Sequence, residues 1–270
     1  MSSLLVKPEV PNSEGRVHSV TPQSAGWDHV GFELFKLKTG DSISRHSHDR
    51  ETCIVMVTGT ADVTVGDISF NDIGTRKSVF DGTAPHAVYV PIDRKILVTA
   101  KTDLTLALCS APGIGGLEPR VITPKKMDKE TRGNGANIRH VCNILPENEP
   151  ADSLLVVEVI TPSGNWSSYP PHKHDTDNLP VESNLEETYY HRLNPSQGFA
   201  FQRVYTDDRS IDETMAVEDG DVVMVPKGYH PVGVPHGYDL YYLNVMAGPI
   251  RKWHFNNDPA HDWIVTKPFP

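Results

Sequence analysis

Two short histidine pairs, His46-Ser47-His48 and His172-Lys173-His174, are the residues whose type and spacing could do chemistry in this chain. In an extended strand, residues i and i+2 point to the same face, so each pair presents two imidazoles side by side. That geometry suits a metal ion. A carboxylate and one more imidazole from neighbouring strands would complete a set suited to Zn, Fe, Mn, Co or Ni. The second pair is followed by Glu186-Glu187-Thr188-Tyr189-Tyr190, and later by a run from Gly220 through Pro226-Lys227-Gly228-Tyr229 to His230. One such pair in a strand is commonly incidental, and it is the succession of ligand types that points to a site.

The elements around these residues read as strands. Apolar and β-branched runs occur at 30–38, 53–65, 86–100 and 104–109, and again at 153–161, 187–193, 198–206, 221–226 and 239–247. Gly, Pro and Asp separate them. Short strands with such punctuation predict an all-β barrel or sandwich, and the 22 prolines leave few windows for a long helix. The charged stretch 124–137 (PKKMDKETRGNGAN) holds little that could fill a core, so it is expected to link two domains, 1–123 and 138–270. Each half has a histidine pair after a strand that ends at glycine, which suggests internal duplication.

Composition narrows the function. The 270 residues suffice for a substantial core. Cys53, Cys109 and Cys142 are odd in number and form no CxxC pair, which favours the reducing cytosol over a disulfide framework. No apolar run is long enough for a membrane span, and no signal peptide is evident. A formal charge of -10 argues against a nucleic-acid surface. The expectation is a cytoplasmic, soluble protein whose exposed barrel edges allow homo-oligomers.

The order of HxH, Glu, and then Gly, five residues, Pro-x-Gly and His resembles the cupin signature, and implies two cupin (double-stranded β-helix, or jelly-roll) barrels in one chain. His230 comes one residue early, and a longer insertion separates His174 from the glutamates. Glu187 puts Asn194 where the pattern expects a turn glycine and Glu186 does not, so Glu187 is the preferred carboxylate. In the first half Gly40, His46 and His48 match the opening motif, but the carboxylate position falls near Thr52. Glu51 would face the other way. Even with His86 as third imidazole, that half is expected to lack metal.

GNWSSYPPHKHD (164–175), LEETYYHR (185–192), PKGYHP (226–231) and DLYYLNVMAGP (239–249) resemble the 5-deoxy-glucuronate isomerases of bacterial inositol catabolism. The resemblance covers nearly the whole chain. It implies conversion of 5-deoxy-D-glucuronate to 5-dehydro-2-deoxy-D-gluconate. The related 5-keto-4-deoxyuronate isomerases bind zinc through two His, one Glu and one His, and by motif these ligands fall on His172, His174, Glu187 and His230.

Aldose–ketose isomerisation moves a proton between adjacent carbons through an enediol, or shifts a hydride, and a divalent metal stabilises the developing charge. For proton transfer, Glu186, Tyr189, His191 and Tyr229 all lie near ligand motifs. Alternation puts Tyr189 and His191 in phase with Glu187, although both could simply pack in the barrel. A sugar-acid substrate needs a cation, and Lys173, Arg192, Arg203 and Arg251 are nearest in sequence. The aromatic tail around Trp253 and Trp263 is expected to cap the barrel. Two rival readings are an iron-dependent cupin oxygenase and a non-catalytic sugar-binding cupin.

Overall fold

The computed structural model describes residues 2–266, and strands dominate it. Helix among the described residues is confined to Pro22–Ala25, Trp263–Thr266 and two 3-10 turns, Pro124–Lys126 and Gly135–Asn137. The all-β expectation holds. The runs read at 53–65 and 86–100 are each two strands, Arg50–Thr58 with Ala61–Val65 and Ala87–Val90 with Lys95–Ala100. The first break falls at Gly59, where φ is +94° and a Cβ would sit 2.4 Å from the Asp103 carbonyl oxygen. Only glycine fits there without strain.

The chain divides into two compact units, but not at one cut near 124–137. One comprises Pro8–Asp128 with Asn143–Val157, and the other Met1–Lys7, Lys129–Cys142 and Glu158–Pro270. In the first, a six-stranded sheet runs Arg120–Ile122, Ala87–Val90, Arg50–Thr58, Leu104–Pro112, Gly31–Leu37, Arg16–Val20, and a four-stranded sheet runs Ser42–His46, Lys95–Ala100, Ala61–Val65, Ile68–Ile73. Alternating side chains such as Ala61, Val63 and Val65 meet Phe35, Ile54, Met56 and Leu106 between the sheets. This is the period-two pattern of a sheet with one face in the core.

Glu51 explains why 143–157 joins this unit. Its fully buried carboxylate accepts the backbone N–H groups of Asp152 (2.7 Å), Ser153 (2.6 Å) and Leu154 (2.6 Å) and the Tyr89 hydroxyl (2.6 Å). Charge-assisted bonds of this kind are roughly twice as strong as neutral ones.

In the other unit, a sheet carries Leu5–Val6, Val222–Val225, Glu186–Asn194 and Asp239–Ala247 as neighbours in that order. The strands Leu155–Thr161, Arg139–Leu145 and Asp128–Arg132 continue it. A four-stranded sheet runs Trp166–Ser167, Val232–Gly233, Phe199–Tyr205, Asp212–Glu218. The expected linker is therefore partly an edge strand, Asp128–Arg132, whose polar composition suits an edge rather than a core. The N-terminal residues belong here because Leu5 and Val6 pair with Val223 and Val222, and Lys7 bridges Glu218 and Asp221.

Candidate metal centre

Three elements of the second unit bring ligand-type side chains to one point. His174 follows the short strand His172–Lys173, which pairs with Asn256–Asn257. Glu187 lies near the start of Glu186–Asn194, opposite Val225 on one side and Met246 on the other. His230 sits after the turn at Gly228, whose φ is +91°. A Cβ at Gly228 would lie 2.4 Å from the Tyr205 carbonyl oxygen, so glycine lets Tyr229 and Tyr205 exchange both backbone hydrogen bonds.

The imidazole of His174 (Nε2) lies 3.1 Å from Glu187 Oε2, and that of His230 (Nε2) 3.3 Å from the same oxygen. All three residues are buried. The opposite ring nitrogens face carbonyls: His174 Nδ1 donates to Leu185 at 3.1 Å and His230 Nδ1 to Gly228 at 2.8 Å. A carbonyl can only accept, so each Nδ1 carries a hydrogen, and in the neutral ring the lone pair of Nε2 turns toward the carboxylate. Two lone pairs and an anion facing one buried space need a cation between them. His230 Nε2 is buried with no hydrogen-bond partner among the described residues, which leaves its lone pair available to a ligand. Ligand atoms about 2.0–2.1 Å from a tetrahedral zinc stand about 3.3 Å apart, close to the observed separations.

The electrostatics separate the rings. Burial opposes charge on His174, but the Glu187 carboxylate outweighs it and raises the pKa. Burial pushes His230 down to about 4 despite Glu187, and His172 well below the ordinary range. Both rings stay neutral and able to ligate. His172 lines the same cavity, with its ring 5.1 Å from that of His230 and 4.4 Å from that of Phe255. The tight triad is thus His174, Glu187 and His230, with His172 beside it.

The cavity measures about 30 Å³ and is lined also by Arg132, Arg139, Ser167, Ser168, Tyr189, Tyr242, Asn244 and Trp253. An adjoining vestibule of about 420 Å³ shares Arg139 and His172 with it and is walled by Tyr169, Phe255, Ile264 and Val265. Tyr189 bonds Ser168 through its hydroxyl at 2.9 Å, and Tyr242 bonds Ser167. Burial raises the Tyr189 pKa well above its usual value and that of Tyr242 to about 12.

Of the residues singled out for proton transfer, Tyr189 faces this cavity. His191 lies behind it, fully buried, stacked on Tyr189 and bonded to Gln202 at 3.0 Å, and does not line the cavity. Glu186 is half-buried outside it. Tyr229 donates to Asp207 at 2.8 Å. The cations singled out also lie outside the lining. Lys173 pairs with Asp175 and Asp207, Arg192 with Asp219, and Arg203 with Asp212. Arg251 is half-buried. Trp253 lines the inner cavity, while Trp263 is exposed.

Sequence reasoning passed over Arg139 and Asn244. Arg139 shares its strand face with Val141, and Asn244 stands among the apolar and aromatic residues of 240–247, in phase with Tyr242. A polar side chain two residues from an inward one was the available signal.

Comparison with known proteins agrees with the fold. A protein of Geobacillus kaustophilus named 5-deoxy-glucuronate isomerase is 56% identical over 265 residues, 98% of this chain and 96% of that protein. The crystal structure of an IolB-like protein from Salmonella typhimurium superposes with a TM-score of 0.95 at 53% identity, over 98% of this chain and 100% of that one. The oxalate decarboxylase of Lactobacillus farciminis, solved as a formate complex, has a TM-score of 0.65 at 16% identity, over 99% of this chain and 91% of that one, and shares the cupin fold. The KduI/IolB family model matches residues 4–264, so the chain belongs to that family and is an isomerase of the intramolecular oxidoreductase class.

Proposed function

We propose that this isomerase converts 5-deoxy-D-glucuronate to 5-dehydro-2-deoxy-D-gluconate, an aldose–ketose step of myo-inositol catabolism in the cytoplasm. The observation that carries the reading is the buried His174–Glu187–His230 triad with its inward lone pairs beside a vestibule sized for a small ligand. Together with His172 it would hold one divalent metal, zinc by its N and O donors, in the C-terminal unit alone. In the N-terminal pocket Thr52 stands with His46 and His48 where the cupin pattern puts its carboxylate, and of the two acids that also line it, Glu33 and Asp49, Glu33 is paired with Arg16 and Arg45, which supports that restriction.

When bound, the metal would act as a Lewis acid on the sugar carbonyl and its neighbouring hydroxyl. The protein supplies the surroundings. Tyr189 keeps its proton at neutral pH because burial penalises the phenolate, so its hydroxyl can donate to a sugar oxygen as charge develops there. Ser168 orients that hydroxyl, and Asn244 stands on the strand opposite. The carbonyls of Leu185 and Gly228 hold both imidazoles in one tautomer, which removes reorganisation from the reaction. The narrow inner chamber admits the reacting atoms and little water.

Purified protein incubated without oxygen with 5-deoxy-D-glucuronate should form the keto acid at unchanged mass, followed by NMR. Chelation or His174→Ala should abolish the reaction, with metal content measured alongside. No product from folded, metal-loaded protein would refute the substrate, and full activity after both treatments would refute the metal. Oxygen consumption would instead favour an oxygenase.

A further inference from the structure

Resting on the isomerase reading above, we propose that Arg139 is the residue that selects a sugar acid, by gripping the carboxylate at the end of the substrate remote from its carbonyl. Arg139 lines both the inner cavity and the vestibule, so it stands where a ligand in the vestibule reaches toward the triad. It is the cation among the residues lining the vestibule, in a protein of net charge -10. An anion entering there meets this guanidinium.

Unlike Arg132, Arg192 and Arg203, Arg139 forms no ion pair with a carboxylate among the described residues, although the charge of Glu130 is felt there. Arg192 is bonded to Asp219 and Arg203 to Asp212. Arg132, the other arginine of the inner cavity, pairs with Glu130 and lies 5.2 Å over the Trp253 ring. The hydrogen bond of Arg139 is to the backbone carbonyl of Asn137, at 3.1 Å. Most of the guanidinium is withdrawn from water, and that burial lowers its pKa. A guanidinium so placed keeps donors free in the fork geometry that matches a carboxylate.

The local sequence builds this position. At Gly133 φ is +81°, and a Cβ would lie 2.0 Å from the Asn137 carbonyl oxygen and 2.8 Å from Arg139 Nη1. The loop 133–137 can therefore close over itself and present the Asn137 carbonyl to Arg139 only with glycine at its start. The arginine is aimed before any ligand arrives, which lowers the ordering cost of binding.

The test compares 5-deoxy-D-glucuronate with its neutral counterpart, in which the carboxylate is reduced to an alcohol. Arg139→Gln should lower kcat/KM for the acid about 100-fold, mainly through KM, as loss of one partner from a buried charge pair does. The neutral sugar should be turned over by Arg139→Gln as by wild type, and Arg139→Lys should recover part of the loss on the acid. Equal losses on both sugars would reduce Arg139 to a structural role and overturn the proposal, as would unchanged activity on the acid. A second arm is independent of turnover: calorimetric titration with D-gluconate, which has the carboxylate but no carbonyl to isomerise. Weaker binding by Arg139→Gln supports the inference even if wild type fails to convert 5-deoxy-D-glucuronate, and equal binding overturns it even if the isomerase reading stands.

Discussion

The strands Arg50–Thr58 and Glu186–Asn194 each carry one wholly buried carboxylate near their start, and the two carboxylates do opposite work. Glu51 has four donors on its two oxygens, three of them backbone N–H groups of 152–154. Its charge is fully satisfied, and it ties one stretch of chain to another. Glu187 faces the Nε2 atoms of two imidazoles whose Nδ1 hydrogens go to carbonyls, so with both rings neutral its charge waits for a cation. Burial alone does not mark a functional acid. The number and kind of its donors do.

Removing each carboxylate should separate these roles most sharply. Glu187→Ala should lower kcat/KM by about 10³-fold or more, the several kcal/mol a Lewis-acid site contributes. Glu51→Ala should instead cost about 3–5 kcal/mol of stability by stranding its buried donors, while the folded fraction retains its kcat. Steady-state kinetics and denaturant midpoints on both variants decide the matter. An active Glu187→Ala or a stable Glu51→Ala would erase the distinction.

The tyrosines repeat the contrast on a smaller scale. Tyr189→Phe removes the hydroxyl on the cavity wall and should lower kcat about 10²-fold, the lower end of acid–base contributions. Tyr89→Phe removes one of the four donors to Glu51 and should cost about 1–2 kcal/mol without touching kcat. Similar kcat losses in both would mean that Tyr189 acts through packing.

Much of this was legible because it is local. Alternation and turn residues gave most strands, the histidine pair and the later Pro-x-Gly-Tyr-His run gave His174 and His230, and the cupin pattern, with Asn194 at the expected turn, picked the carboxylate that the structure buries beside them. Phase also put Thr52, not Glu51, on the pocket face with His46 and His48. What was not legible depends on contacts far apart in the chain. Lys7 meets Glu218 and Asp221 some 211 and 214 residues away, and Glu51 meets 152–154 more than 100 residues away, so no local pattern could assign 1–7 or 143–157 to their units. Alternation gives the face of a side chain but not its depth, which is why His191 points inward yet sits behind Tyr189. Nearness to a motif does not give direction either. Lys173, Arg192 and Arg203 adjoin the motifs and spend their charges on Asp175 and Asp207, Asp219, and Asp212.

His191 offers the finest test of what burial does in the unit that holds the candidate metal centre. Burial lowers its pKa to about 4, against a weaker opposing bond from Gln202. The unfolded chain protonates this histidine near pH 6.5 while the folded one does not, so the unfolded state binds the extra proton as pH falls. The stability contribution is therefore complete above pH 6.5 and is lost as pH falls from there toward 4, by about 2 kcal/mol at pH 5. His191→Phe keeps a ring against Tyr189 and removes the titrating group. The difference in unfolding free energy between wild type and this variant should then shift by that amount between pH 7.5 and 5, with the variant gaining relative to wild type. A difference that stays constant over the range would mean that His191 takes up its proton in the folded state, and that the layer behind Tyr189 is far wetter than the structure makes it.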